Sequence, residues 1–144
     1  LIVRKCTSNA AGNTASASFL RSRGTAAAPE TVVSGDSVGG FIGGAYDGTN
    51  YKAITFINFG TEGTVSTGVV PGNMQFLTAN ASGTLTESFR LDSSQKMILN
   101  GVFLPNQATT AGAPAYVKGG MYFDTTLNKL RIGGATAWET VTSV

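Results

Sequence analysis

The 144-residue chain contains no histidine. That removes the commonest proton shuttle and the commonest metal ligand together. Ser-His-Asp and Cys-His arrangements cannot be assembled from it, and zinc sites of the usual Cys/His type are excluded. Cysteine occurs once, at Cys6, so no disulfide can close within one chain and stability must come from packing or association. Arg4 and Lys5 beside Cys6 favour a thiolate, but no imidazole is present to act as its base. Charge is equally sparse. Asp, Glu, Lys and Arg make up 12% of the residues, against about 25% in an average chain, so long solvated helices laced with ion pairs are not expected. The ten basic residues are scattered, whereas a nucleic-acid binder concentrates its positive charge in a patch or stripe; no nucleic-acid partner is expected. No run approaches the roughly 20 apolar residues of a membrane-spanning helix, so no membrane insertion is expected, and no basic-then-apolar leader opens the chain. The first residue is Leu1 rather than Met, which reads as part of a longer or processed protein.

Glycine, alanine, serine and threonine fill the space that charge leaves. Glycine costs a helix about 1 kcal/mol relative to alanine, while threonine, valine, isoleucine and phenylalanine favour pleated strands. The expectation is an all-β protein with many turns. Residues 1–18 read as an extended N-terminal segment and 19–104 as a β-rich domain. Residues 105–117 read as a low-complexity linker, and 118–144 as a small C-terminal β-hairpin unit.

Within the β-rich domain, strands are expected at Phe19–Arg23, Thr31–Val33 and 38–46. Glycines recur along the last of these, which implies close approach of another backbone. Asp47-Gly48 is a hairpin signal. The return strand 51–59 is apolar on both faces, which implies burial on both sides. Further strands are expected at 74–78, 85–91, 96–99 and 102–104. In the C-terminal unit a hairpin is expected across 124–129, with Trp138 as its hydrophobic anchor on Tyr122 or Leu130.

Candidate chemistry is thin. Gly39-Gly40 and Gly43-Gly44 are not followed by a Lys-Ser/Thr pair or an amphipathic helix, which a phosphate cradle needs; they read as packing positions. Asp36, Asp47 and Asp124 sit beside turns, where aspartate caps backbone N–H groups. Glu87 and Asp92 read as flanking a strand on its solvent side. No carboxylate pair stands out for glycoside hydrolysis. Tyr46, Tyr51 and Trp138 are the residue types that stack on sugar rings, and they are the candidate glycan contacts. Tyr46 and Tyr51 also flank the Asp47-Gly48 turn, where a cross-strand aromatic pair stabilises a hairpin. No catalytic residue, metal ligand or cofactor is expected.

Two stretches carry a resemblance. The first is the series Ser22-Arg23-Gly24-Thr25, Ala28-Pro29, Ser34-Gly35-Asp36 and Ala45-Tyr46-Asp47-Gly48, continued by Phe76-Leu77-Thr78 and Glu87-Ser88-Phe89-Arg90-Leu91. It resembles a module of bacteriophage tail-fibre and virion appendage proteins, common in marine and cyanobacterial phages. The second, Gly120 to Ile132 through Trp138-Glu139, looks like a short hairpin module found near the ends of such proteins. The resemblance implies an intertwined homotrimer in a virion surface appendage, whose partners are its own copies and other appendage proteins, and no catalytic residues. Many relatives continue into a self-cleaving chaperone domain, and the chain stops soon after Trp138. Where relatives have a Gly-rich turn after the Arg-Leu strand, this chain has Ser93-Ser94-Gln95-Lys96. The expected function is a structural segment of a phage tail fibre that supports host attachment. A lectin-like, glycan-binding tip is the alternative and a polysaccharide depolymerase the third reading.

Overall fold

A computed structural model describes residues 17–142. The expectations for Cys6 and for residues 1–16 of the N-terminal segment lie outside the described residues. Among the described residues there is no helix, and strands form sheets of two, five and four members. The chain divides into two compact units, Leu1–Gly101 and Val102–Val144.

The first unit opens with the two-residue strands β1 (Arg23–Gly24) and β2 (Pro29–Glu30), paired antiparallel. Its five-stranded sheet follows. The members are β3 (Ser37–Tyr46), β4 (Tyr51–Thr61), β5 (Gly72–Ala79), β6 (Leu85–Leu91) and β7 (Met97–Leu99). Each lies beside its neighbour in sequence, and all pairings are antiparallel. This meander follows from the turn chemistry. Asp47 Oδ1 accepts the Thr49 and Asn50 amides, both at 2.7 Å. Asn80 Oδ1 accepts the Ser82 and Thr84 amides at 3.0 and 3.1 Å, and Asp92 Oδ1 accepts those of Ser94 and Lys96, both at 2.9 Å. A short side-chain acceptor at the start of each turn mimics a backbone carbonyl and reverses the chain. The Ser93–Lys96 turn closes without glycine because Gln95 takes the left-handed conformation, φ 65°.

The glycines of β3 give close approach, as their recurrence implies. A Cβ on Gly39 would stand 2.6 Å from the Phe19 ring, and one on Gly40 would meet the Ile57 carbonyl oxygen across the strand pair. The expected two-sided burial of 51–59 does not occur. Tyr51 is 81% exposed and Ile54 is also exposed, while Phe56, Ile57 and Phe59 are half-buried. The physical reason is that, among the described residues, the unit's only other sheet is the two-residue pair β1–β2, and no second layer lies against the five-stranded sheet. Of the expected strand Phe19–Arg23 only Arg23 enters a ladder, and Thr31–Val33 and Val102–Leu104 form none. Val102 is 92% exposed, with Phe103 and Leu104 exposed beside it.

The second unit is a four-stranded sheet in the order β11-β10-β9-β8, built from β8 (Gln107–Ala108), β9 (Met121–Asp124), β10 (Lys129–Gly133) and β11 (Trp138–Thr140). The β9–β10 hairpin is the expected one, with Asn128 in the left-handed conformation at φ 53°. The linker expectation for 105–117 is corrected, because β8 pairs parallel with β9. The Phe123 amide donates to Asn106 O at 2.8 Å and the Thr125 amide to Ala108 O at 2.9 Å. Gln107 and Ala108 enter the ladder, flanked by the Asn106 carbonyl bond, so this part of the segment is a sheet edge rather than a tether. The unit is therefore larger than a hairpin, and Tyr122 is the fully buried aromatic among the described residues.

Candidate functional site: an uncovered apolar sheet face

Side chains alternate across a strand, so the register assigns each one to a face. On one face of the five-stranded sheet, Phe41 lies opposite Ile57, and Ile57 opposite Phe76. Phe76 lies opposite Phe89, and Phe89 opposite Leu99. One rung along, Phe59, Met74, Leu91 and Met97 form a parallel row. Both rows run the full width from β4 to β7. Phe76 and Phe89 stack with centroids 4.2 Å apart and planes 12° apart. Phe41 and Phe59 meet edge to face at 6.1 Å. Phe41, Met74, Leu91, Met97 and Leu99 are exposed.

One corner of this face is covered from within. Phe19 packs on Phe41 and Phe59 at centroid distances of 5.5 and 5.8 Å. The segment carrying it is clamped by Asp36, which receives Arg23 through two contacts of 2.8 Å and Arg21 at 3.1 Å. The Val33 amide adds a bond of 3.0 Å. The Arg23 hydrogen bonds and the Val33 amide hold the Asp36 carboxyl well below the usual carboxylate range, against the opposing effect of burial.

The opposite face carries a polar ladder. Asn58 receives the Ser37 hydroxyl. Asn58 Nδ2 donates to Gln75 Oε1 at 2.6 Å, Gln75 Nε2 to Glu87 Oε2 at 2.7 Å, and Asn100 Nδ2 to Glu87 Oε1 at 2.6 Å. Arg90 approaches Glu87 at 3.7 Å and Glu62 at 3.9 Å. Glu87 is thus drawn into the sheet face rather than facing solvent, because a β-bulge between Phe76 and Leu77 turns it toward Gln75. Asp92 caps its turn.

The candidate glycan contacts fall in different units. Tyr46 and Tyr51 form a cross-strand pair at the tip of the β3–β4 hairpin, with centroids 5.3 Å apart and both rings exposed. Trp138, in the second unit, is half-buried. It meets Tyr122 edge to face at 4.9 Å and Tyr116 at 5.9 Å, and its Nε1 donates to Pro114 O at 3.1 Å.

Below it lies the second unit's polar centre. Asp124 has no exposed surface. Burial alone would raise its pKa, but the Leu127 amide, Thr110 hydroxyl, Thr126 amide and Tyr122 hydroxyl outweigh burial and keep the carboxyl ionised below its ordinary range. Arg131 adds an ion pair at 3.3 Å. Burial and the Asp124 charge in turn raise the Tyr122 phenol. Every partner here is a turn or strand group of the same unit, so the cluster acts as a structural knot.

Sequence reasoning missed the apolar face as a continuous surface. Its rows are visible only once β4 to β7 are in register. The alternating Phe89, Leu91 and Ile57, Phe59 pairs were the signal. No protein-family model matches the chain, and no curated protein is significantly similar to it.

Proposed function

We propose that the chain is a non-enzymatic structural segment of a phage tail fibre, or a similar virion appendage, that supports host attachment as a homotrimer. The observation that carries this reading is the five-stranded sheet, whose apolar face the described residues leave exposed at Phe41, Met74, Leu91, Met97 and Leu99. Contiguous exposed apolar surface marks an association site. Symmetric packing of identical faces covers it with no second protein required. The long edge strand β3 bears no charged side chain, and uncharged edges favour pairing with further copies. The resemblance carried by the Ser22–Leu91 series supports the virion setting and a trimer among symmetric assemblies. The carboxylates Asp36, Asp47, Asp92 and Asp124 serve as caps and clamps, and Glu87 as a ladder rung, in keeping with a role without catalysis. Gold-labelled antibodies raised against the chain test the setting. They should decorate the appendages of virions that carry its gene, and labelling confined to infected-cell cytoplasm would count against it.

A second reading, a glycan-binding tip, draws on the exposed Tyr46–Tyr51 pair. Two adjacent exposed phenol rings offer apolar faces and polar edges suited to a sugar. Glycan-array binding that is lost in Tyr51→Ala, with the sheet intact, would favour the tip over the shaft.

A further inference from the structure

Asn100 and Gly101 are the one Asn-Gly pair in the chain. They stand just past β7, where the first unit ends. Both are exposed. Among the described residues nothing accepts a hydrogen bond from the Gly101 amide, and no atom lies within 4 Å of where a Cβ on Gly101 would be. A glycine in that position leaves its nitrogen open to the preceding side chain and free to rotate toward it. The Asn100 side chain has one polar partner, Glu87, which takes its Nδ2 at 2.6 Å. The residue as a whole is exposed.

We propose that Asn100 is a self-modifying site that ages by deamidation and, in doing so, releases the β7 edge of the sheet. The Gly101 nitrogen, giving up its proton to water or hydroxide, attacks Asn100 Cγ. The new C–N bond closes a five-membered imide, and the side-chain amide nitrogen leaves as ammonia. Water then opens the ring. Attack at Cγ restores the main chain and leaves an aspartate. Attack at the Asn100 main-chain carbonyl carbon leaves the chain running through Cγ as isoaspartate. No oxidant, metal or second protein is required.

The structural consequence follows from the ladder. Asn100 is its terminal donor, and Glu87 carries the acceptor. Deamidation replaces that donor by a carboxylate, so an attractive contact becomes a repulsive one between two anions. Isoaspartate also lengthens the backbone by a methylene beside the Asn100 amide, which donates to Ser88 O at 3.0 Å. β7 is three residues long and is held by β6 alone, so losing these two ties frees it first. The outcome is a chemical clock at the end of the first unit, and it does not depend on the fibre reading.

The full chain, incubated folded in mildly alkaline buffer, tests this by peptide mapping with isoaspartate detection. The peptide containing Asn100 should gain the mass of an amide-to-acid exchange, with isoaspartate exceeding aspartate. Asn100→Gln and Gly101→Ala should both abolish the gain; the open space at Gly101 allows the alanine. Hydrogen exchange of 97–99 should quicken in step with the conversion and in Asn100→Asp, while Gly101→Ala stays protected throughout. If the folded chain keeps Asn100 intact while the same chain in denaturant converts fully, the Glu87 contact protects the site and the proposal fails. Conversion without faster exchange at β7 would overturn the release.

Discussion

Phe76 and Phe89 lie opposite one another on β5 and β6 and stack almost parallel, 4.2 Å between ring centroids. The pair sits midway along a row that runs from Phe41 to Leu99. It therefore anchors the sheet and centres the face through which the copies are proposed to meet. Phe76→Ala should lower the stability of the first unit by about 2–4 kcal/mol, toward the lower part of the range for a large-to-small aromatic truncation because the ring is half-buried. A double-mutant cycle with Phe89→Ala should return a coupling of about 0.5–1.5 kcal/mol. Denaturant unfolding monitored through the tyrosines reads both.

Trp138 holds the second unit by two edge-to-face contacts and the bond to Pro114 O. Trp138→Ala should cost that unit about 3–5 kcal/mol and leave the first unit's exchange protection unchanged. Hydrogen exchange followed by peptide distinguishes the two, and equal loss in β3–β6 would contradict an anchoring role confined to the second unit.

The pH dependence follows from the two buried carboxyls. Asp36 and Asp124 both have folded pKa values below their ordinary value. The unfolded chain therefore takes up protons first as pH falls. The stabilisation is fully present above the unfolded carboxyl value, about 4, and is lost as pH drops through the folded values. With no histidine in the chain, the melting temperature should be flat between about pH 5.5 and 8 and fall steeply below about 4. Asp36→Asn should soften the acid loss in the first unit and lower its neutral-pH stability. A transition centred near pH 6 would contradict this.

Gln95 occupies a left-handed position in the turn that Asp92 caps. Gln95→Gly should stabilise the β6–β7 hairpin by about 0.5–1 kcal/mol, since glycine pays no Cβ penalty there. Chemical denaturation of the first unit measures it.

The strands that alternate or carry a turn signal were legible from sequence. The Asp47-Gly48 hairpin and its flanking tyrosines, the 85–91 strand and the 124–129 hairpin all formed where local chemistry put them. What sequence could not convey was what lies across from each strand. Apolar residues on both faces of 51–59 imply two covering layers, yet covering layers are a tertiary property, and among the described residues of the unit Phe19 covers one corner alone. The 105–117 segment reads as a tether because small residues carry no periodicity, and its role in the sheet depends on backbone hydrogen bonds that any residue can make. Glu87 reads as solvent-facing because it is a carboxylate; the bulge at Phe76/Leu77, which moves it off the Phe89–Leu91 face and onto the polar ladder, leaves no mark in a period-2 pattern. Tyr46, Tyr51 and Trp138 were visible as residue types, but their separation into two units was not.

The association of the chain bears most directly on the account. Native mass spectrometry at micromolar concentration, with sedimentation equilibrium on the same sample, should report three chains in one complex. Phe41→Ser with Met97→Ser, both exposed on the apolar face, should return it to single chains with the strand content retained. A soluble, folded monomer of the unaltered chain at that concentration would contradict the account.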